Sequence, residues 1–288
     1  LGAVLALAVT ASGVTPPGAS APDAPAAGGT TPATPEKDPV LLPDDMLVFV
    51  RDHQLWCING EGKGLRQLTK GPTPVSRPTA APDGSLVAFE MFDDTFHDFA
   101  LYAVSIDGGQ PVPLDAVGHT PCWSPDAGRL LYSGVVRGVY QIFACNRHGK
   151  DMYRITDTVS PESLPVWSPD GMRIAFTRDV SMGGQRRTTI VVRDATGRDT
   201  EVAMLSGMQV TDLAWAPGAA LLISQRTTDN GRVHDELAVL DPDAKKPREV
   251  IVTDPLESES FGHWAPSTAG MIYVQTRAGT THVMMRLP

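Results

Sequence analysis

The sequence predicts an all-β protein: a six-bladed β-propeller of four-stranded blades, preceded by a disordered N-terminal linker. Three observations predict it. A phrase of Trp, a small residue and Pro, often with Asp-Gly, recurs along the chain. Each copy leads into a short aliphatic and aromatic run bounded by turn residues, the signature of a strand and not of a 3.6-residue helical stripe. The copies are also spaced by about 40–50 residues, the length of a propeller blade.

In chain order, Leu1 to Ala11 is an uncharged apolar run. It reads as the remnant of a signal peptide, the h-region of an export leader, with small residues at Ala6-Leu7-Ala8 or Val9-Thr10-Ala11 for cleavage. As a helix it would span only about 16 Å, too little for a bilayer core. Residues 12–38 are Ala, Pro, Gly, Thr and Ser, as in Pro25-Ala26-Ala27-Gly28-Gly29. So few large apolar side chains cannot offset the entropy of ordering, so this stretch reads as a linker. Residues 39–288 hold the repeats.

The sharpest copy is Trp167-Ser168-Pro169-Asp170-Gly171 before Ile174-Ala175-Phe176, and Trp123-Ser124-Pro125-Asp126 precedes Leu130-Leu131-Tyr132. Trp215-Ala216-Pro217 and Trp264-Ala265-Pro266 are weaker copies; Ala80 and then Pro43-Asp44-Asp45 mark two earlier ones without the aromatic. Pro presets φ, Asp bonds neighbouring backbone and Gly accepts positive φ, so each phrase is a turn between an inner and a second strand. Third strands follow, such as Leu101-Tyr102-Ala103-Val104 and Thr189-Ile190-Val191-Val192, and then outer ones such as Tyr153-Arg154-Ile155-Thr156. The Trp column predicts packing between blades and not a ligand cage. Val40-Leu41-Leu42 is a candidate for the inner strand of the first blade or the closing strand of the last.

Composition limits function only loosely. With 24 Lys+Arg against 33 Asp+Glu the net charge is −9, which gives no basic face for nucleic acid. Cys57, Cys122 and Cys145 are too dispersed for a metal framework and odd in number, so they read as small buried apolar residues. No Gly-x-Ser-x-Gly elbow, His-Glu-x-x-His or Cys-x-x-Cys occurs. No catalytic residue, cofactor or metal is assigned.

These phrases resemble the WD40-like (PD40) repeats of the TolB family, with the likeness running from about residue 40 to the end and sharpest at residues 167–171. The resemblance implies an exported, periplasmic or secreted propeller, monomeric and without a membrane span once mature. It also implies a protein partner in the cell envelope. No α/β domain precedes the repeats here as one does in TolB, which puts full equivalence in doubt. Propeller lyases with pore histidines and a metal are the rival reading, an enzyme acting on oligosaccharides; His119, His263, Arg77 and Asp212 would then be its candidates.

Propeller loops alternate between two faces. The Pro-Asp-Gly turns share one face and are alike from blade to blade. The second-to-third loops share the other face and differ, so recognition is expected there and at the channel mouth. Aligning the Trp column places Arg77, His119, Ser163, Asp212, Ser260 and His263 at that mouth, where a polar lining is also what a water-filled channel requires. The variable loops add Asp93, Asp94, His97 and Asp98, beside Glu90, together with Glu257 and Glu259. The acidic loop lacks the glycine and spacing of a calcium loop and reads as solvated.

Overall fold

The computed structural model describes residues 4–7, 46–59, 62–94, 98–216, 220–229, 232–244, 249–252, 257–264, 271–277 and 280–286. All regular structure in them is β. Blade one holds β1 (Val4–Leu7), β2 (Met46–Arg51), β3 (Gln54–Asn59) and β4 (Arg66–Gln67). Blade two holds β5 (Val75–Ala80), β6 (Leu86–Asp93), β7 (Asp98–Ser105) and β8 (Val112–Val117). Blade three holds β9 (His119–Trp123), β10 (Arg129–Val136), β11 (Val139–Asn146) and β12 (Tyr153–Arg154). Blade four holds β13 (Glu162–Trp167), β14 (Arg173–Met182), β15 (Gln185–Asp194) and β16 (Asp199–Ser206). Blade five holds β17 (Gln209–Trp215), β18 (Leu221–Asp229), β19 (Arg232–Leu240) and β20 (Glu249–Val252). The sixth repeat forms β21 (Glu257–Trp264), β22 (Met271–Arg277) and β23 (Thr280–Arg286).

The all-β propeller is as expected; six four-stranded blades are not. Five sheets have four strands and the sixth repeat has three, because no described strand follows β23 to take its outer position. Blade two is an antiparallel meander, and blades three to five repeat it. Blade one differs. Its innermost strand β1 runs parallel to β2, with Val4 opposite Met46 and Leu7 opposite Phe49. It therefore comes from the run read as a leader and not from Val40-Leu41-Leu42, which lies outside the described residues with the linker 12–38. Among the described residues no helix is long and apolar enough to cross a membrane.

The recurring phrase has a local and a long-range role. Locally, Ser124 Oγ donates to Asp126 Oδ1 at 2.5 Å while accepting from Arg129 N at 2.9 Å. Ser168 repeats this with Asp170 (2.6 Å) and Arg173 N (2.8 Å). The residue after Asp is left-handed in three copies, Gly84 at φ 70°, Ala127 at 55° and Gly171 at 70°, which is why the phrase favours glycine there. At long range the tryptophans reach back one blade. Trp123 Nε1 donates to Thr79 O at 3.1 Å and Trp215 Nε1 to Val166 O at 3.3 Å. Each ring is buried in a cluster shared by two blades, Trp123 with Leu101 and Leu130, Trp215 with Ile190 and Leu221. Trp167 is half-buried and packs on a cluster between blades three and four, but its Nε1 is buried without a partner.

Candidate functional site

The mouth of the channel is built by a repeated irregularity. In blades two to five the pairing of inner and second strands slips by a bulge, between Ser76 and Thr79, Leu131 and Ser133, Ser163 and Val166, and Val210 and Asp212. At three of these bulges a non-glycine residue is left-handed: Arg77 at φ 46°, Thr120 at 55° and Leu164 at 55°. Each precedes a proline (Pro78, Pro121, Pro165), whose ring disfavours a right-handed helical predecessor. Such a conformation costs roughly 1–2 kcal/mol per residue. Bulges of this kind re-aim side chains at functional edges. A polar clasp holds each bulge to the second strand: Ser76 Oγ to Glu90 Oε2 at 3.2 Å, Thr120 Oγ1 with Ser133 Oγ at 2.9 Å, and Ser163 Oγ with Thr177 Oγ1 at 2.9 Å.

In blade two the clasp partner is a carboxylate, and a charged cluster forms around it. Glu90 is 4% exposed. Its Oε1 accepts from Thr120 N at 2.6 Å, and Arg77 Nε lies 3.9 Å away. His119 Nδ1 stands 3.4 Å from Glu90 Oε2, while Nε2 stands 3.6 Å from Asp98 Oδ1 at the tip of the β6–β7 hairpin. The imidazole packs against Phe99 and Tyr140, with ring centroids 5.2 and 5.7 Å away. The hydrogen bond to Glu90 raises the His119 pKa above its ordinary value; burial and Arg77 oppose this, and the charges of Glu90 and Asp98 reinforce it. A protonated ring is then hydrogen-bonded to Glu90 through Nδ1 and lies within ion-pair distance of Asp98 through Nε2.

Beside this cluster lies a cavity of about 610 Å³, lined among others by Arg77, His119, Tyr140, Glu162, Ser163 and Arg226. Below it, Arg77, Thr120, Leu164 and Asp212 surround a narrow channel space of about 70 Å³. Arg77 also donates from Nη1 to Thr211 O at 3.3 Å, bridging blades two and five.

The structure thus brings Arg77, His119 and Ser163 to one cavity and places Asp212 just beneath it. Of the variable-loop residues, Asp98 meets His119, Asp94 is exposed, and Asp93 pairs with Asp98 across the hairpin tip. His97 lies outside the described residues. Glu257, Glu259, Ser260 and His263 lie on β21, whose side chains are also outside the described set; the backbone pairs Ser260 with Val274 and His263 with Ile272.

Two contributors lay outside the column alignment. Glu90 supplies the buried charge, and its signal was a lone carboxylate at the end of the aliphatic run Leu86–Phe89. Glu162, wholly buried, gives one oxygen to Arg178 at 2.7 Å. Its signal was a carboxylate where blades two, three and five carry Val75, Gly118 and Val210 and only the sixth repeat, with Glu259, matches it. Among the described residues no three or more His, Cys, Asp or Glu side chains are grouped to hold a metal ion.

Residues 45–287 match the family described as the TolB beta propeller domain. The Tol-Pal system protein TolB of Nitratidesulfovibrio vulgaris is 28% identical over 133 residues, covering 45% of this chain and 29% of that protein. An uncharacterized peptidase of Bacillus subtilis, YuxL, is 30% identical over 117 residues, 38% of this chain and 18% of the relative. The chain therefore spans less than a third of either relative's length. An oligogalacturonate lyase of Vibrio parahaemolyticus shares the fold with a TM-score of 0.57 at 15% identity, over 84% of this chain and 74% of the lyase.

Proposed function

The chain belongs to the TolB β-propeller family, and from that premise we propose that it is a noncatalytic, exported propeller that binds a protein partner in the cell envelope at the mouth of its channel. The observation that carries this is the cluster of His119, Asp98 and Arg77, all partly exposed, around the buried Glu90 at the rim of the mouth cavity. Strained backbone at Arg77 and Thr120 is held there by Glu90, which organises a polar surface and leaves no activated nucleophile. Both ring nitrogens of His119 already face carboxylates. Export rests here on the family likeness alone, since the run Leu1 to Ala11 supplies the innermost strand of blade one, which a cleaved leader would not.

The test is chemical cross-linking in intact envelopes, comparing the wild-type chain with Arg77→Ala and His119→Gln. One cross-linked protein, lost in both variants while blade-face controls keep it, supports the reading. A cross-link that survives both, or conversion of oligogalacturonides to unsaturated products by the purified chain, overturns it.

A further inference from the structure

The mouth cavity does not stop at the axis. A second cavity, of about 550 Å³, shares with it Ser163, Asp179, Gln209, Val210 and Arg226, and extends outward to Thr188, Gly207 and Thr228. Together they form one groove running from the channel mouth between blades four and five.

Its walls include the β14–β15 and β18–β19 hairpins, both of which project past their inner strands. The β13–β14 ladder stops at Glu162–Arg178, whereas β14–β15 continues to Met182–Gln185. The β17–β18 ladder stops at Gln209–Arg226, whereas β18–β19 continues to Asp229–Arg232. Among the described residues no strand pairs with the inner edges of Val180–Met182 or Thr227–Asp229. An extended polypeptide can add to such an edge through its main chain.

The side chains at the inner end define what that segment must carry. The nearby cations are committed: Arg178 to Glu162 Oε1 (2.7 Å) and Asp199 (2.6 Å), Arg226 to both oxygens of Asp235 (2.8 and 3.0 Å). Two acceptors are not. Glu162 Oε2 and Thr211 Oγ1 are buried, line the cavity and have no hydrogen-bond partner. Glu162 is 0% exposed, so its unmet lone pairs call for an N–H donor, and a carboxylate oxygen bonds a cationic donor more strongly than a neutral one. The net charge of −9 acts in the same direction at long range.

We propose that the groove between blades four and five takes an extended segment of the protein partner bearing a Lys or Arg side chain, which reaches Glu162 Oε2 and Thr211 Oγ1 at its inner end. This rests on the partner-binding reading and specifies the ligand of that same mouth.

The test uses the full chain, isotopically labelled, and two capped nonapeptides of Ala and Thr that differ only in a central Lys or Glu. The Lys peptide is expected to shift the amide resonances of Asp179–Met182 and Gln209–Thr211, and the Glu peptide to bind about ten-fold more weakly or worse. Glu162→Gln should weaken the Lys peptide about ten-fold. Since that variant also touches the Arg178 pair, Thr211→Val serves as the second, removing one acceptor at nearly constant shape; it should weaken binding while leaving Tm unchanged or higher. Equal binding of the two peptides, shifts confined to other blades, or no effect of Thr211→Val would overturn the proposal. None of these outcomes bears on the envelope cross-link, so the two readings fail separately.

Discussion

Replacing Glu90 by Ala removes the acceptor on which the mouth converges. Thr120 N, bonded at 2.6 Å, and Ser76 Oγ, at 3.2 Å, both lose a partner inside the protein. His119 loses the closer of its two carboxylates and Arg77 its nearby counter-charge. Each orphaned donor costs about 1–3 kcal/mol, and each ion pair adds about 0–1 kcal/mol, because Arg77 and His119 are themselves partly exposed. These terms overlap because the groups share one carboxylate, so about 3–5 kcal/mol is expected for the whole change. Glu90→Gln keeps the shape and one acceptor oxygen and should cost about half as much. Denaturant unfolding at several pH values measures this. The sign follows from the raised His119 pKa: its stabilising share is fully present below the unfolded value of about 6.5 and is lost as pH rises through the folded value. The difference between wild type and Glu90→Gln should therefore shrink from pH 6 to pH 9. A Glu90→Ala variant within 1 kcal/mol of wild type, or a difference that grows with pH, would refute the cluster as described.

Other perturbations give simpler readings. Trp123→Phe removes the hydrogen bond to Thr79 O while keeping most of the buried ring, and should cost about 1–2 kcal/mol in urea unfolding; Trp123→Ala should cost about 3–5 kcal/mol. Gly149 sits at φ 75°, and a Cβ there would meet Leu114 O at 1.4 Å, so Gly149→Ala should lower Tm sharply or abolish soluble expression. Thr189 is wholly buried with an unpartnered hydroxyl, so Thr189→Val should be neutral or stabilising by up to about 1 kcal/mol, whereas a loss above 1 kcal/mol would show a hidden partner. Removing residues 1–11 takes β1 from the edge of β2, so the amides of Met46–Arg51 should exchange faster with deuterium; unchanged protection would mean another segment fills that position.

The repeat was legible because its phrase is short, local and obligatory. Ser-Pro-Asp-Gly closes a turn within six residues, and its tryptophan must reach the neighbouring blade, so both leave fixed letters in fixed columns. Arg77, His119 and Ser163 were legible for the same reason, since they sit three or four residues before that column. Glu90 and Glu162 were harder to find. Their roles depend on contacts with blade three in one case and with Arg178 on the paired strand in the other. The bulges left no direct sign either, although the prolines after Arg77, Thr120 and Leu164 stand beside the slipped positions. The source of the first blade's innermost strand was not legible at all, because β1 and β2 are far apart in the sequence and any apolar run can offer a ladder.

The tryptophan bonds are unevenly distributed around the ring. Blades two and three are joined through Trp123, and blades four and five through Trp215, but the indole nitrogen between three and four makes no such bond. Among the described residues the seam between blades three and four relies instead on the packing of Trp167 in its apolar cluster and on Arg193 Nη1 donating to Ile155 O. The mouth cavity straddles that seam, with Thr120, Ser133 and Tyr140 on one side and Glu162, Ser163 and Leu164 on the other. An incoming chain at the mouth therefore meets a seam held by side-chain packing and a guanidinium bond where its neighbours are held by an indole hydrogen bond.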